Sequence, residues 1–208
     1  MDIIDSLKWR YATKKFDNKK IIPQHKIDRL KEAFNLTATS YGIQPIKLLI
    51  LRNKALQEEL VKHSFDQQQV VLASHLLIFC ISDITDKTIV EYFDRVKAIR
   101  DTPDEILSPF KDYLLDSFSN KNEEEIKSYC TKQAYLAMGN LLTVCAVEGI
   151  DACPMEGFDP QAYDEKLGLK EKGLNSVLVM PIGYRAKDDF FSSLKKVRKT
   201  VAESTLEL

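Results

Sequence analysis

The chain has 208 residues, 44% of them hydrophobic and 29% charged, with a formal net charge of −1. That balance suits a globular protein of about one domain with a sizeable core. It gives no overall electrostatic case for nucleic acid or an anionic membrane as partner. The start, MDIIDSLKWRYATKKFD, carries acids early and no apolar run of signal-peptide length. The apolar stretches at 76–81 and 177–182 are too short to span a bilayer, so a cytoplasmic protein is expected. Cys80, Cys130, Cys145 and Cys153 form no CxxC pair and no Cys/His cluster of metal spacing. They read as buried reduced thiols, and no metal site is expected.

In chain order, Ile3, Ile4, Leu7 and Tyr11 suit one face of a short first helix. Pro23 can open a second helix, with Ile27, Leu30, Ala33 and Phe34 as its apolar stripe. Residues 37–45 read as a loop, because Pro45 disfavours helix at Gln44. A strand follows at 46–51, a helix at 56–63 and a buried strand at 75–82. Residues 86–120 carry charged helical patterns, with interruptions expected near Pro103 and Pro109. Residues 123–148 form the strongest helical pattern, with a wide apolar stripe that predicts a central, buried helix stopped by Gly149. A short strand is expected at 150–153. Asp159 and Pro160 read as the cap and first position of a helix ended by Gly168. The last strand is expected at 175–184. Scattered strands among more numerous helices indicate an α+β or α/β arrangement with a small sheet. The tail beyond Lys199 has too little apolar content for a core of its own and must dock on this subunit or on another.

Three segments carry candidate chemistry. Arg10 and Lys14 flank Tyr11, Ala12 and Thr13 just after the first helix. Arg offers a planar fork for phosphate oxygens and Lys a point charge, although basic residues there also complement a helix dipole. Pro154, Met155, Glu156 and Gly157 lie between a strand and a helix. Gly157 lets the backbone approach a flat ligand, and the same residues equally make an ordinary turn. Lys196 and Arg198 are two apart, so in an extended chain they point the same way. Two such cations suit a phosphate or a solvated surface. His75 reads as a satisfied half-buried histidine, and Gln133 and Asn140 as partner-seeking amides on one helix face.

Taken together and in this order, these segments resemble the FMN-dependent nitroreductase family, nearly end to end. The N-terminal stretch resembles the family's first helix and phosphate turn. ATSYGIQP (38–45) resembles its Ser/Asn-rich loop. QQQV (67–70) with ASH (73–75) resembles its Gln-rich turn before a buried strand, and KQAYLAMGN (132–140) its central helix. PMEGFD (154–159), GLKEKG (168–173) and VMPIGY (179–184) are the most specific matches. Residues 86–120 match poorly, as suits a variable helical excursion near the active site.

The resemblance implies a single α+β domain over 1–208, with a small, mostly antiparallel sheet flanked by helices. It implies an intertwined homodimer whose C-terminal tail docks on the partner and whose FMN sites lie at the interface. Arg10, Lys196 and Arg198 would bind the FMN phosphate, and Tyr11 and Ala12 would pass beside it mainly through backbone. Lys14, Asp66 and Gln69 would face the pyrimidine edge of the isoalloxazine. Pro154 and Met155 would pack on one ring face, with Glu156 and the Gly157 N–H near flavin N5. Ala38, Thr39 and Ser40 would come from the partner subunit. Hydride would pass from NADH or NADPH through the flavin to nitroaromatic, quinone or related acceptors by a ping-pong scheme, with no catalytic side chain required. Other chemistry on the same fold remains open: dihydropteridine or free-flavin reduction, dehalogenation, or flavin binding without catalysis. Four positions depart from the family pattern. Asp66 stands where Asn is usual, Gln69 where some members have Lys, Ala12 where a hydroxyl residue is common, and Ile46 where an aromatic is frequent.

Overall fold

The computed structural model describes residues 2–208. Four strands make one antiparallel sheet in the order β1 (Ile46–Leu51), β2 (His75–Ser82), β4 (Leu174–Gly183) and β3 (Asp151–Ala152). β2 is nearly all apolar because both its faces are covered. Leu77, Phe79 and Ile81 enter one core, while Leu76, Ile78 and Cys80 enter the other. Opposite Phe79 and Cys80 the register skips from Leu178 to Ser176, leaving Val177 as the extra residue of a bulge.

The first core is covered by α2 (Gln24–Asn35), α5 (Asp86–Arg100), α6 (Asp104–Ser119) and α7 (Glu123–Val147). The second lies under α3 (Lys54–Val61), α4 (Gln69–Leu72) and α8 (Pro160–Leu167), with Phe16 and Met155. Two further helices are α1 (Ile3–Trp9) and the short α9 (Val201–Ser204). α8 starts and stops where its residues predict: the Asp159 side chain accepts from Ala162 N, and Gly168 is left-handed at φ 58. α7 opens on a capping box between Asn122 and Glu125, and the chain turns at Gly149, φ 66.

Several expectations need correction. α1 ends at Trp9, so Tyr11 lies outside it, and Ile3, Ile4 and Leu7 are exposed. α6 runs through Pro109. The ring removes one N–H donor whose acceptor would be the Glu105 carbonyl, and both residues are exposed, so water can replace that bond. α7 is buried on one face only; Leu136 is 52% exposed on the other. The strand expected at 150–153 shrinks to two residues. The 37–45 loop contains one 3-10 turn, Ser40–Gly42, with Tyr41 left-handed.

The four cysteines are free and buried. His75 is satisfied by the Ser74 hydroxyl at 2.8 Å. Gln133 accepts from Ser40 N, and Asn140 donates to Ala33 O and Thr37 Oγ1, so both amides serve packing within the chain. Among the described residues no helix is long and apolar enough to cross a membrane, and no cluster of metal-ligating side chains occurs.

Candidate functional site

After α1 the chain turns extended and lies against β3: Ala12 bridges Ala152 in parallel, and Thr13 N donates to Ala152 O. Two buried carboxylates pin this turn. Asp189 accepts from the Tyr11 hydroxyl at 2.8 Å, Lys14 N at 3.1 Å, Lys15 N at 3.2 Å and Phe191 N at 3.2 Å. Burial pushes the Asp189 carboxyl up, but the Tyr11 hydroxyl and the three N–H groups outweigh it and hold it below the usual carboxylate range. Burial, then Asp189, pushes the Tyr11 phenol up, so it stays a neutral donor. Asp151 binds Arg185 Nε at 2.8 Å, and the Arg185 guanidinium sits between the Trp9 and Tyr11 rings, 4.2 and 4.5 Å from their centroids.

Those contacts use up the acids. What remains is a cleft of about 370 Å³ lined by Arg10, Tyr11, Ala12, Lys14, Lys196 and Arg198, among others. Lys196 reaches it by donating to the carbonyls of Leu7 and Arg10, which caps the open end of α1. Arg10 Nε is buried with no partner among the described residues. Burial and then Arg198 push the Arg10 guanidinium below its ordinary value. Burial, then Arg10 and Arg198, do the same to Lys196. A cluster of three cations in which Arg10 and Lys196 are both destabilised, with one donor orphaned, calls for an anion. A phosphate monoester fits: it is dianionic and takes several N–H donors at once.

Deeper in, Lys14 Nζ lies 3.8 Å from Cys153 Sγ. Burial pushes the Cys153 thiol up, while Lys14, Gln69 and Arg10 partly offset it. Gln69 donates to Gln67 Oε1 at 2.9 Å, and Gln67 Nε2 donates to Gly157 O at 2.8 Å. The Met155 side chain joins the second core. With Pro154 and Glu156, Met155 also lines a groove of about 440 Å³ against Tyr135 and Gly139 of α7. Glu156 accepts from the Tyr135 hydroxyl at 2.9 Å, which pushes that phenol up.

The candidate residues therefore do not all share one cleft. Arg10, Tyr11, Ala12, Lys14, Lys196 and Arg198 line one cleft, Gln69 and Gly157 adjoin it through Cys153 and Gln67, and Pro154, Met155 and Glu156 line the separate groove against α7. Asp66 is exposed and left-handed, φ 57, and does not line the cleft. Ala38, Thr39 and Ser40 lie elsewhere in the same chain. Ala38 lines a groove with Leu136 and Gly139, Thr39 Oγ1 accepts from Gln44 N, and Ser40 O accepts from the Tyr129 hydroxyl.

Sequence reasoning missed Asp189, Arg185, Asp151, Gln67 and Tyr135. Asp189 and Arg185 sit far from Tyr11 in the chain, so no local spacing marks them. Gln67 lies inside the Gln-rich motif, where the sequence alone does not distinguish it from Gln68 and Gln69.

Comparison with known proteins gives this geometry a family. The family model described as Nitroreductase family matches residues 7–184. The chain belongs to the nitroreductase family. It is 30% identical over 218 residues to an oxygen-insensitive NAD(P)H nitroreductase of Salmonella typhimurium, covering 99% of both proteins. It is 30% identical to another from Enterobacter cloacae, covering 95% of each. Two solved structures share the nitroreductase fold. A nitroreductase-like protein from Streptococcus mutans aligns with a TM-score of 0.85 at 22% identity, over 99% of this chain and 97% of that one. A nitroreductase-type protein from Exiguobacterium sibiricum, solved in complex with FMN, aligns with a TM-score of 0.83 at 19% identity, over 100% and 98%. Lys196 and Arg198 lie beyond the segment matched by the nitroreductase family model but within the full-length alignments.

Proposed function

We propose that this protein is an FMN-dependent oxidoreductase that takes hydride from NADH or NADPH and delivers it to nitroaromatic, quinone or related acceptors. The observation that carries this reading is the uncompensated cluster of Arg10, Lys196 and Arg198, with Arg10 Nε left without a partner. Membership of the nitroreductase family and relatives named for NAD(P)H-dependent nitro reduction support the same reading. When bound, FMN supplies the hydride-accepting and hydride-donating chemistry.

The chain's own residues bind, orient and exclude water. Arg10, Lys196 and Arg198 hold the phosphate, with Tyr11 and Ala12 beside it. Lys14 and Gln69 offer donors to the polar edge of the ring; exposed Asp66, outside the cleft lining, is left out of that set. Pro154 and Met155 support one ring face, and Glu156 and the Gly157 N–H stand at its reactive edge. With FMN bound, the Lys14 cation would favour negative charge on the ring, by about 2–4 kcal/mol. The nicotinamide and the acceptor take turns in one space, which makes the kinetics ping-pong.

The working unit in this reading is a cytosolic homodimer, with Ala38, Thr39 and Ser40 of each subunit completing the partner's site. Exposed Ile3, Ile4 and Leu7 on α1 and Leu136 on α7 support an apolar interface. The 86–120 excursion roofs the substrate space. Phe110 and Tyr41 pack edge to face at 6.1 Å, which ties that excursion to the Ser40 turn. The test is colour. Purified protein should be yellow, bleach anaerobically with NADH or NADPH, and recover on adding nitrofurazone or menadione. A colourless protein that takes up no FMN overturns the reading.

A further inference from the structure

The run Gln67-Gln68-Gln69 splits by direction. Gln68 is exposed and reaches only the Asp66 carbonyl, at 3.4 Å. Gln67 turns inward and uses both ends of its carboxamide: Nε2 donates to Gly157 O, and Oε1 accepts from Gln69 Nε2. Its backbone is fixed in turn, with its N–H on Ser64 O and its carbonyl accepting from Val70 N. Gln69 is buried and, after Lys14, favours the Cys153 thiolate against burial, and Lys14 Nζ approaches the same sulfur at 3.8 Å. A Cβ on Gly157 would lie 3.1 Å from Gln67 Nε2, so Gly157 and Gln67 are matched choices.

We propose that Gln67 is a positioning residue for the flavin. Through Gln69 and Cys153 it ties the Gly157 peptide to Lys14, so that the groups offered to the reactive and the polar edges of the isoalloxazine move as one unit. The proposal rests on the FMN reading above. The chemistry selects an amide here. Only a group that both donates and accepts can link the Gly157 carbonyl to the Gln69 N–H; a carboxylate would accept at both ends and repel that carbonyl. Polarisation along such a chain makes its members worth more together than singly. Cys153 has a structural part in this: it is the soft, buried surface on which the Lys14 ammonium and the Gln69 carboxamide meet.

The experiment compares wild type, Q67M, Q67E, Q68M and the Q67M/K14M double variant against K14M. Two properties are measured for each: FMN affinity by flavin fluorescence quenching, and the reduction potential of the bound flavin by dye equilibration. Q67M keeps the side-chain length and Q67E the shape, and a thermal melt of each confirms folding. Q67M and Q67E should weaken FMN binding by about three- to tenfold and shift the potential downward, because the Gly157 N–H and Lys14 are then less well aimed at developing negative charge. Q68M should match wild type. The Q67M and K14M effects should not multiply. If Q67M and Q67E leave affinity and potential unchanged while wild type binds FMN, the relay is wrong and the FMN reading stands. If Q68M shifts the potential as far as Q67M, or the double variant is the simple product of the singles, the relay is also wrong. If wild type binds no FMN, the reading of the site falls first and the relay with it.

Discussion

The turn at residues 9–15 and the tail beyond residue 193 form opposite walls of one cleft, yet they are held by different means. The turn is pinned from within. Thr13 is fully buried, Asp189 collects four donors, and Arg185 is clamped between two aromatic rings over Asp151. The tail is exposed throughout, with Val197 at 85% and Leu206 at 82%, and its grip on the turn is Lys196 on two carbonyls. The first wall is therefore preorganised before any anion arrives. In our reading the second gains order from what it binds, the anion and the partner subunit. Burial and satisfied polar groups set the difference, since the cationic side chains are of the same kind on both walls.

The largest effect should come from the pinned wall. Asp189→Ala strands four donors of part-buried hydrogen bonds and should cost about 3–4 kcal/mol in urea unfolding while abolishing FMN retention. The same carboxylate carries a pH signature. Its folded pKa lies below the unfolded value of about 3.9, so its contribution is complete above that pH and is lost as the pH falls through the folded pKa. Asp189→Asn should flatten that part of the acid limb; an unchanged limb would place the acid sensitivity elsewhere.

Next in size, Arg10→Gln should weaken FMN binding about 10- to 100-fold, as expected for a lost charge-assisted contact. Arg198→Gln should cost less, because its side chain is held by one neighbouring carbonyl on an exposed tail. Equal losses would show that the two walls are equally organised.

A smaller effect, away from the cleft, concerns His75. Burial, then Arg52 and Lys54, pushes its imidazole down to about 4. The fold prefers it neutral, so its contribution is whole above about pH 6.5 and is lost as the pH falls toward the folded value. Melting temperatures of His75→Gln should depend less on pH between those limits than those of wild type.

The smallest effect on the folded subunit is expected from the tail. Replacing Val197, Val201 and Leu206 by Ser should change subunit unfolding by less than about 0.5 kcal/mol while raising the dimer dissociation constant in sedimentation. A clear loss of subunit stability would mean that the tail docks on its own chain.

The same contrast explains what could be read from sequence. β2, α8 and the end of α7 are legible because their determinants are local: continuous apolar residues, Asp159 with Pro160 and Gly168, and Gly149. Pro109 misled because a proline's cost depends on whether water can reach the freed carbonyl, which is a tertiary fact. The exposed face of α7 misled because periodicity records that a stripe is apolar, and an isolated chain does not supply what covers it. At the site, the cations were legible as residue types that suit phosphate. The Asp189, Arg185 and Asp151 network that aims them was not, because its partners are 34 to 178 residues apart. Gln67 was hidden for another reason: in a run of three glutamines, only the backbone turn decides which amide faces inward.

The central claim is that Arg10, Lys196 and Arg198 recognise a phosphate on a flavin. Titrating the apoprotein with FMN and with riboflavin, at low and high salt, isolates that phosphate. The account predicts FMN bound about 100-fold more tightly than riboflavin, with a margin that shrinks in salt and nearly vanishes in Arg10→Gln. Equal affinity for FMN and riboflavin in the wild-type protein would contradict it.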